Sequence, residues 1–186
     1  MNRLFNLKAT YLSAFTKSLI VISLGFFIFY IDDHDFFDYR LTIAITLFIA
    51  IIKCVYFIGV SYHKILEVSL KNTAYYEFII FMALNIFVII ISFATDFFCL
   101  LQVDHRSLEG IQTGMTVPEK IFECFYFSVL NFSFFGYGDI LPATIPAKIV
   151  LMLEASMSFL TVILVLSDFI SLKESIADYR KQKNKY

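Results

Sequence analysis

The chain has 186 residues, 59% hydrophobic and only 17% charged, with 23 Phe and no Trp. Soluble domains carry roughly 25% charged residues, so this composition excludes an ordinary soluble domain and points to a bilayer. The net charge of −1 lacks the basic excess that grips phosphate backbones, so no nucleic-acid partner is expected.

Four apolar stretches, 15–31, 41–61, 77–101 and 146–169, are each near the ~20 residues that cross a bilayer as a helix. The first is followed by Asp32-Asp33-His34-Asp35 rather than by a small-residue cleavage site, so it reads as a span and not as a cleaved signal. The first two stretches hold no ladder of Arg or Lys, so a charged voltage-sensing helix is not expected. Counted from the same membrane side, Lys53 in the second and Asn85 in the third fall at similar depth. A Lys53–Asn85 contact is therefore expected, with snorkelling of Lys53 as the alternative. Asp96 is expected at the interface. Cys54, Cys99 and Cys124 lie in apolar runs and read as small core residues. His34, His63 and His105 are scattered and are assigned no metal.

Orientation follows from the basic residues. Arg3, Lys8 and Lys17, then Lys64 and Lys71, then the basic run from Lys173 to Lys185 share one side. Asp32, Asp33, Asp35 and Asp38 fall on the other. The count puts both termini in the cytoplasm and residues 102–145 outside.

That outer segment is more than a loop. Residues 119–133 are aromatic-rich and free of breakers, with Pro118 and Glu119 suited to a helix start. Fifteen residues reach about 22 Å, enough to enter a ~30 Å bilayer core and not to cross it. The chain must return, and the returning stretch is Asn131-Phe-Ser-Phe-Phe-Gly-Tyr-Gly-Asp-Ile140. Irregular backbone at membrane depth is tolerated where protein buries it or where it lines a watery cavity. Gly136 and Gly138 can take backbone angles closed to other residues. Gly-Tyr-Gly can thus turn successive carbonyls toward one axis to replace the hydration shell of a cation. Tyr137 is expected to point away from that axis as a brace, and Asp139 to sit at the outer mouth.

Residues 118–170 resemble the pore domain of the potassium-channel family: half-helix, Gly-Tyr-Gly-Asp filter and inner helix, with the third span as outer helix. The resemblance places the filter at Phe134, Phe135, Gly136, Tyr137 and Gly138. It implies K+ as permeant ion, possibly Na+, held by the carbonyls of Phe134, Phe135, Gly136 and Tyr137. Phe135 stands where the family has Val or Ile, and Phe134 where it has a Thr hydroxyl at the innermost ion site, which implies weaker preference for K+ over Na+. Asn131 and Ser133 replace half-helix threonines as filter support. Glu154 lies about 13 Å into the fourth span at helical rise, level with the filter, and is read as a brace behind it rather than an ion contact. Ser158 stands where the inner helix often has a hinge glycine. Asp168, near the cytoplasmic end, either forms an acidic ring at the inner mouth or is an interfacial aspartate facing solvent or Lys173.

The expected architecture is an all-α, multi-pass protein of the cell membrane: four transmembrane helices with a re-entrant half-helix and filter between the third and fourth. Residues 1–76 would form two peripheral helices, 77–172 the pore domain and 173–186 a short basic cytoplasmic tail. The tail is too short for a ligand-binding domain, so gating would act through membrane lipid or a separate gating protein. One filter strand per chain implies a homotetramer. The function read is passive cation conduction. The alternatives are a weakly selective monovalent cation channel and a non-conducting sensor or accessory subunit; a transporter repeat unit fits less well, with one pore loop. No cofactor is expected, and no nucleophile–base pair or metal triad suggests an enzyme.

Overall fold

A computed structural model describes the backbone of residues 39–71, 75–112 and 114–183, and side chains of 39–63, 79–112 and 114–167. The predicted first span, 15–31, and the acidic cluster after it lie outside the described residues. Four helices follow in order: α1 (Tyr39–Lys71), α2 (Tyr75–Val103), α3 (Val117–Phe132) and α4 (Ile145–Lys183). Three of them are long and apolar enough to cross a membrane, over Tyr39–His63, Ile79–Val103 and Ile145–Ser167. These correspond to the predicted second, third and fourth spans. The described residues are helical apart from two short strands, β1 (Leu108–Glu109) and β2 (Leu141–Pro142), which the sequence pattern did not announce.

Polarity is arranged as a bilayer demands. On α1 the buried stripe is Thr42, Thr46, Ala50, Lys53, Phe57 and Ser61, while Phe48, Ile51, Ile52, Val55 and Ile58 are exposed. Small and polar residues face protein and large apolar ones face outward, because helix contacts in lipid come from close packing and hydrogen bonds rather than from expulsion of water. α2 is the central element, packed against α1, α3 and α4. Its last turns supply Phe93, Phe97, Phe98, Leu100 and Leu101 to the core. α4 buries a narrow stripe, Ala147, Val150, Glu154, Met157, Ser158 and Thr161, at helical spacing. The cysteines expected in the core are there: Cys54, Cys99 and Cys124 are all buried.

The expected Lys53–Asn85 contact does not form. Lys53 Nζ donates to Asp96 Oδ1 at 2.5 Å and to the Ser92 carbonyl at 3.1 Å, and Asn85 donates to Ser61 Oγ at 3.0 Å. Asp96 is correspondingly no interfacial residue: it is 1% exposed and Lys53 2%. The reason is helix length. α1 runs to Lys71, not to residue 61, so depths counted from its end shift by nearly three turns. That brings Ser61 level with Asn85, and Lys53 level with Ser92 and Asp96.

The β1–β2 pair closes the end of the bundle where α2 ends and α4 begins. Leu108 pairs with Pro142 and Glu109 with Leu141, antiparallel. Ala143 N–H adds a bond to the Ser107 carbonyl at 3.0 Å. Ser107 Oγ in turn donates to the Leu100 carbonyl at 3.0 Å. The chain leaving residues 134–140 is thereby tied to the end of α2.

Candidate functional site

The site is built on α3. Val117–Phe132 spans 16 residues, about 24 Å, and begins with Pro at its first turn. Thr116 N–H and Thr116 Oγ1 both donate to Glu119 Oε2, at 2.7 and 2.8 Å. These bonds, the backbone one foremost, hold the Glu119 carboxyl below its ordinary range. The half-helix packs on α2: the Phe97 and Phe127 rings meet edge to face at 4.8 Å, and Ser128 Oγ reaches the Ile90 carbonyl at 2.9 Å.

Its other end carries the unusual backbone. Ser133 caps the helix, its hydroxyl returning to the Val129 carbonyl at 2.8 Å. Phe134 N–H bonds the Asn131 carbonyl at 3.1 Å and Phe135 N–H the Leu130 carbonyl at 2.9 Å. Those two bonds are the Schellman pattern, in which the residue after the cap is left-handed and is usually glycine. Here it is Phe134, at φ 58°. Left-handed backbone costs an L-residue about 1–2 kcal/mol. Gly136 at φ 42° and Gly138 at φ 79° are also positive, as their type anticipates. Left-handed residues therefore recur at every second position across 134–138.

Asp139 ends the run and is held on three sides. Tyr126 Oη donates to Asp139 Oδ2 at 2.9 Å, and Ile140 N–H donates to Asp139 Oδ1 at 3.0 Å. The third hold is a close backbone approach. Gly110 sits at φ 97°, and a β-carbon there would lie 2.1 Å from the Asp139 carbonyl oxygen. Neither Tyr126 nor Gly110 was singled out from sequence. An alternation of polar and aromatic residues does not reveal which ring meets which carboxylate.

Behind the loop stands Glu154, fully buried. Ser128 Oγ donates to Glu154 Oε1. Asn131 Nδ2 and Glu154 Oε2 are buried and find no hydrogen-bond partner among the described residues. One turn further along α4, Ser158 Oγ donates to the Phe132 carbonyl. Phe134, Phe135, Gly136, Tyr137 and Asp139 are all exposed. The Tyr137 ring lies 5.6 Å from that of Phe135 and, at 69% exposure, rests on little else of its own chain. Asp168 lies on α4, and its side chain is outside the described residues.

Residues 85–174 match a family model described as an ion channel. This segment resembles an ion-channel domain. The resemblance read from Gly-Tyr-Gly-Asp is shown by that match, which covers 90 of the 186 residues. Comparison with curated proteins and with solved structures gave no match. Within the matched residues, α3 is the half-helix that precedes the Gly-Tyr-Gly-Asp loop and α4 the helix that follows it. The apolar spans and the ion-channel domain together make the chain a multi-pass membrane protein.

Proposed function

We propose that the chain is a passive cation channel that conducts potassium, with Phe134, Phe135, Gly136, Tyr137 and Gly138 of each copy forming one strand of the filter. The observation that carries this reading is the positive φ at Phe134, Gly136 and Gly138, directly after a helix too short to cross a bilayer. A backbone that alternates in hand turns successive peptide dipoles to one side, so the carbonyls of residues 134–137 can line an ion path. The pore helix has no basic residue in its last turn, so its negative dipole end is left free to favour a cation.

A carbonyl cage needs several strands, and a homotetramer supplies them by closed rotation. The exposed aromatic surface at Phe134, Phe135 and Tyr137 is what neighbouring copies would cover. Asp139 would stand at the outer mouth, Glu154 and Asn131 behind the filter, and Asp168 toward the inner mouth, with both termini cytoplasmic. Phe134 offers no hydroxyl, which favours a second reading, a monovalent cation channel of modest K+ over Na+ preference. Purified protein in liposomes, assayed for K+ and Na+ flux, tests both. Potassium flux well above sodium flux supports the first, equal fluxes support the second, and neither flux refutes conduction. Mass measurement in nanodiscs showing only monomers or dimers would refute the tetramer.

A further inference from the structure

Several hydroxyl side chains lie along α4, and one behaves differently from two others. Ser156 Oγ bonds the Met152 carbonyl at 2.8 Å and Thr161 Oγ1 the Met157 carbonyl at 2.7 Å. Both are the ordinary helical pattern, in which a hydroxyl returns to the carbonyl four residues back. By that pattern Ser158 would use the carbonyl of Glu154. Instead it reaches across to the carbonyl of Phe132 on the pore helix. Ser158 is fully buried, so no water competes for the bond.

Phe132 is the last helical residue of the pore helix, and the last four carbonyls of a helix have no partner within it. Two residues later comes Phe134, left-handed and not glycine. A bulky residue persists there only if its surroundings over-determine the conformation. On one side the surroundings are the two Schellman bonds; on the other is Ser158. The Ser128–Glu154 bond runs one turn earlier on both helices, with the same separation of 26 residues. The two bonds therefore clamp α4 to the pore helix in a single register.

We propose that Ser158 is a positioning residue for the filter backbone. Its hydroxyl ties the terminal carbonyl of the pore helix to α4 and holds Phe134 left-handed at the filter entrance. The bond also has an exit. If α4 bends or turns at this level, the hydroxyl returns to its own helix and the filter entrance loses an anchor. The inference about the backbone stands on the hydrogen-bond pattern; its consequence for ion flow rests on the channel reading above.

The experiment is amide hydrogen exchange in lipid nanodiscs, read at Phe134 and Phe135, whose N–H groups make the Schellman bonds. Ser158→Ala removes the donor, and exchange there is expected to rise about fivefold, the factor a single net hydrogen bond contributes. Ser158→Gly, a second deletion of the hydroxyl, is expected to act in the same direction. Ser158→Thr keeps a donor and is expected to stay near wild type. Thr161→Val deletes a buried hydroxyl that serves only its own helix and is expected to leave both amides unchanged. Unchanged exchange in Ser158→Ala, or an equal rise in Thr161→Val, overturns the proposal. Cation flux is measured on the same proteins in liposomes, with a drop expected for Ser158→Ala and not for Thr161→Val. Wild-type protein that carries no flux refutes conduction, while the exchange data still decide the role of Ser158.

Discussion

The Lys53–Asp96 pair invites a perturbation whose size can be worked out beforehand. Each charge, alone at the centre of a transmembrane helix, costs roughly 2.5–3.5 kcal/mol to insert. Together they are almost fully buried, with Nζ 2.5 Å from Oδ1 and a second bond to the Ser92 carbonyl. Removing one partner leaves the other as an uncompensated buried charge, at about 3–5 kcal/mol. Asp96→Asn and Lys53→Met are each expected to lose that much. If the two losses were independent, the double variant would lose the sum, about 6–10 kcal/mol. It is instead expected to lie within about 2 kcal/mol of wild type, because an apolar or neutral pair removes the desolvation penalty of both ions. Among the described residues Asp96 Oδ2 and Ser92 Oγ have no partner, so part of that penalty is uncompensated there. The assay is equilibrium unfolding in mixed micelles, followed by circular dichroism since the chain has no Trp. Additive losses, or single variants within 1 kcal/mol of wild type, would show that the pair does not hold α1 to α2.

Gly138→Ala meets nothing within 4 Å among the described residues, so only the backbone at φ 79° resists. We expect about 1–2 kcal/mol of destabilisation, normal membrane insertion and a large loss of K+ flux in liposomes; unchanged flux would refute the filter assignment. Gly110→Ala places a β-carbon on the Asp139 carbonyl and should displace the backbone there, seen as faster amide exchange at Asp139 and Ile140. Phe134→Gly should stabilise the helix cap by up to about 1 kcal/mol in the same unfolding assay, and Phe134→Thr should destabilise it, since a β-branched residue tolerates φ 58° poorly. Glu119, its carboxyl held below the ordinary 4.5, contributes stability that is present above that value and lost as pH falls through the lower, folded one. Measured against the intrinsic exchange rate at each pH, protection at the first turn of α3 should therefore weaken under acid in wild type and show a smaller pH dependence in Glu119→Gln.

Much of this protein was decided by composition and periodicity. Apolar length alone separates Tyr39–His63, Ile79–Val103 and Ile145–Ser167 from the half-helix, because a bilayer sets a minimum length and 117–132 falls short of it. The glycines at 136 and 138 announce left-handed backbone, since glycine alone adopts it without cost. Contacts between helices were not legible in the same way. The partner of Lys53 turned on where α1 ends, and no motif marks that end: a shift of nearly three turns exchanged Asn85 for Asp96. The left-handed Phe134 runs against residue preference and is set by N–H bonds from Phe134 and Phe135 to the Asn131 and Leu130 carbonyls, with Ser158 holding the helix end from another part of the chain. Ser158 read as a substitute for a flexible glycine, yet in three dimensions its hydroxyl is a donor to the Phe132 carbonyl at the end of α3. Tyr126, Gly110 and the β1–β2 pair belong to the same class. Local preference and hydrophobic length act within a segment, so they can be read along the chain. A hydrogen bond or a close approach between segments depends on register and depth, and those exist only once the helices have packed.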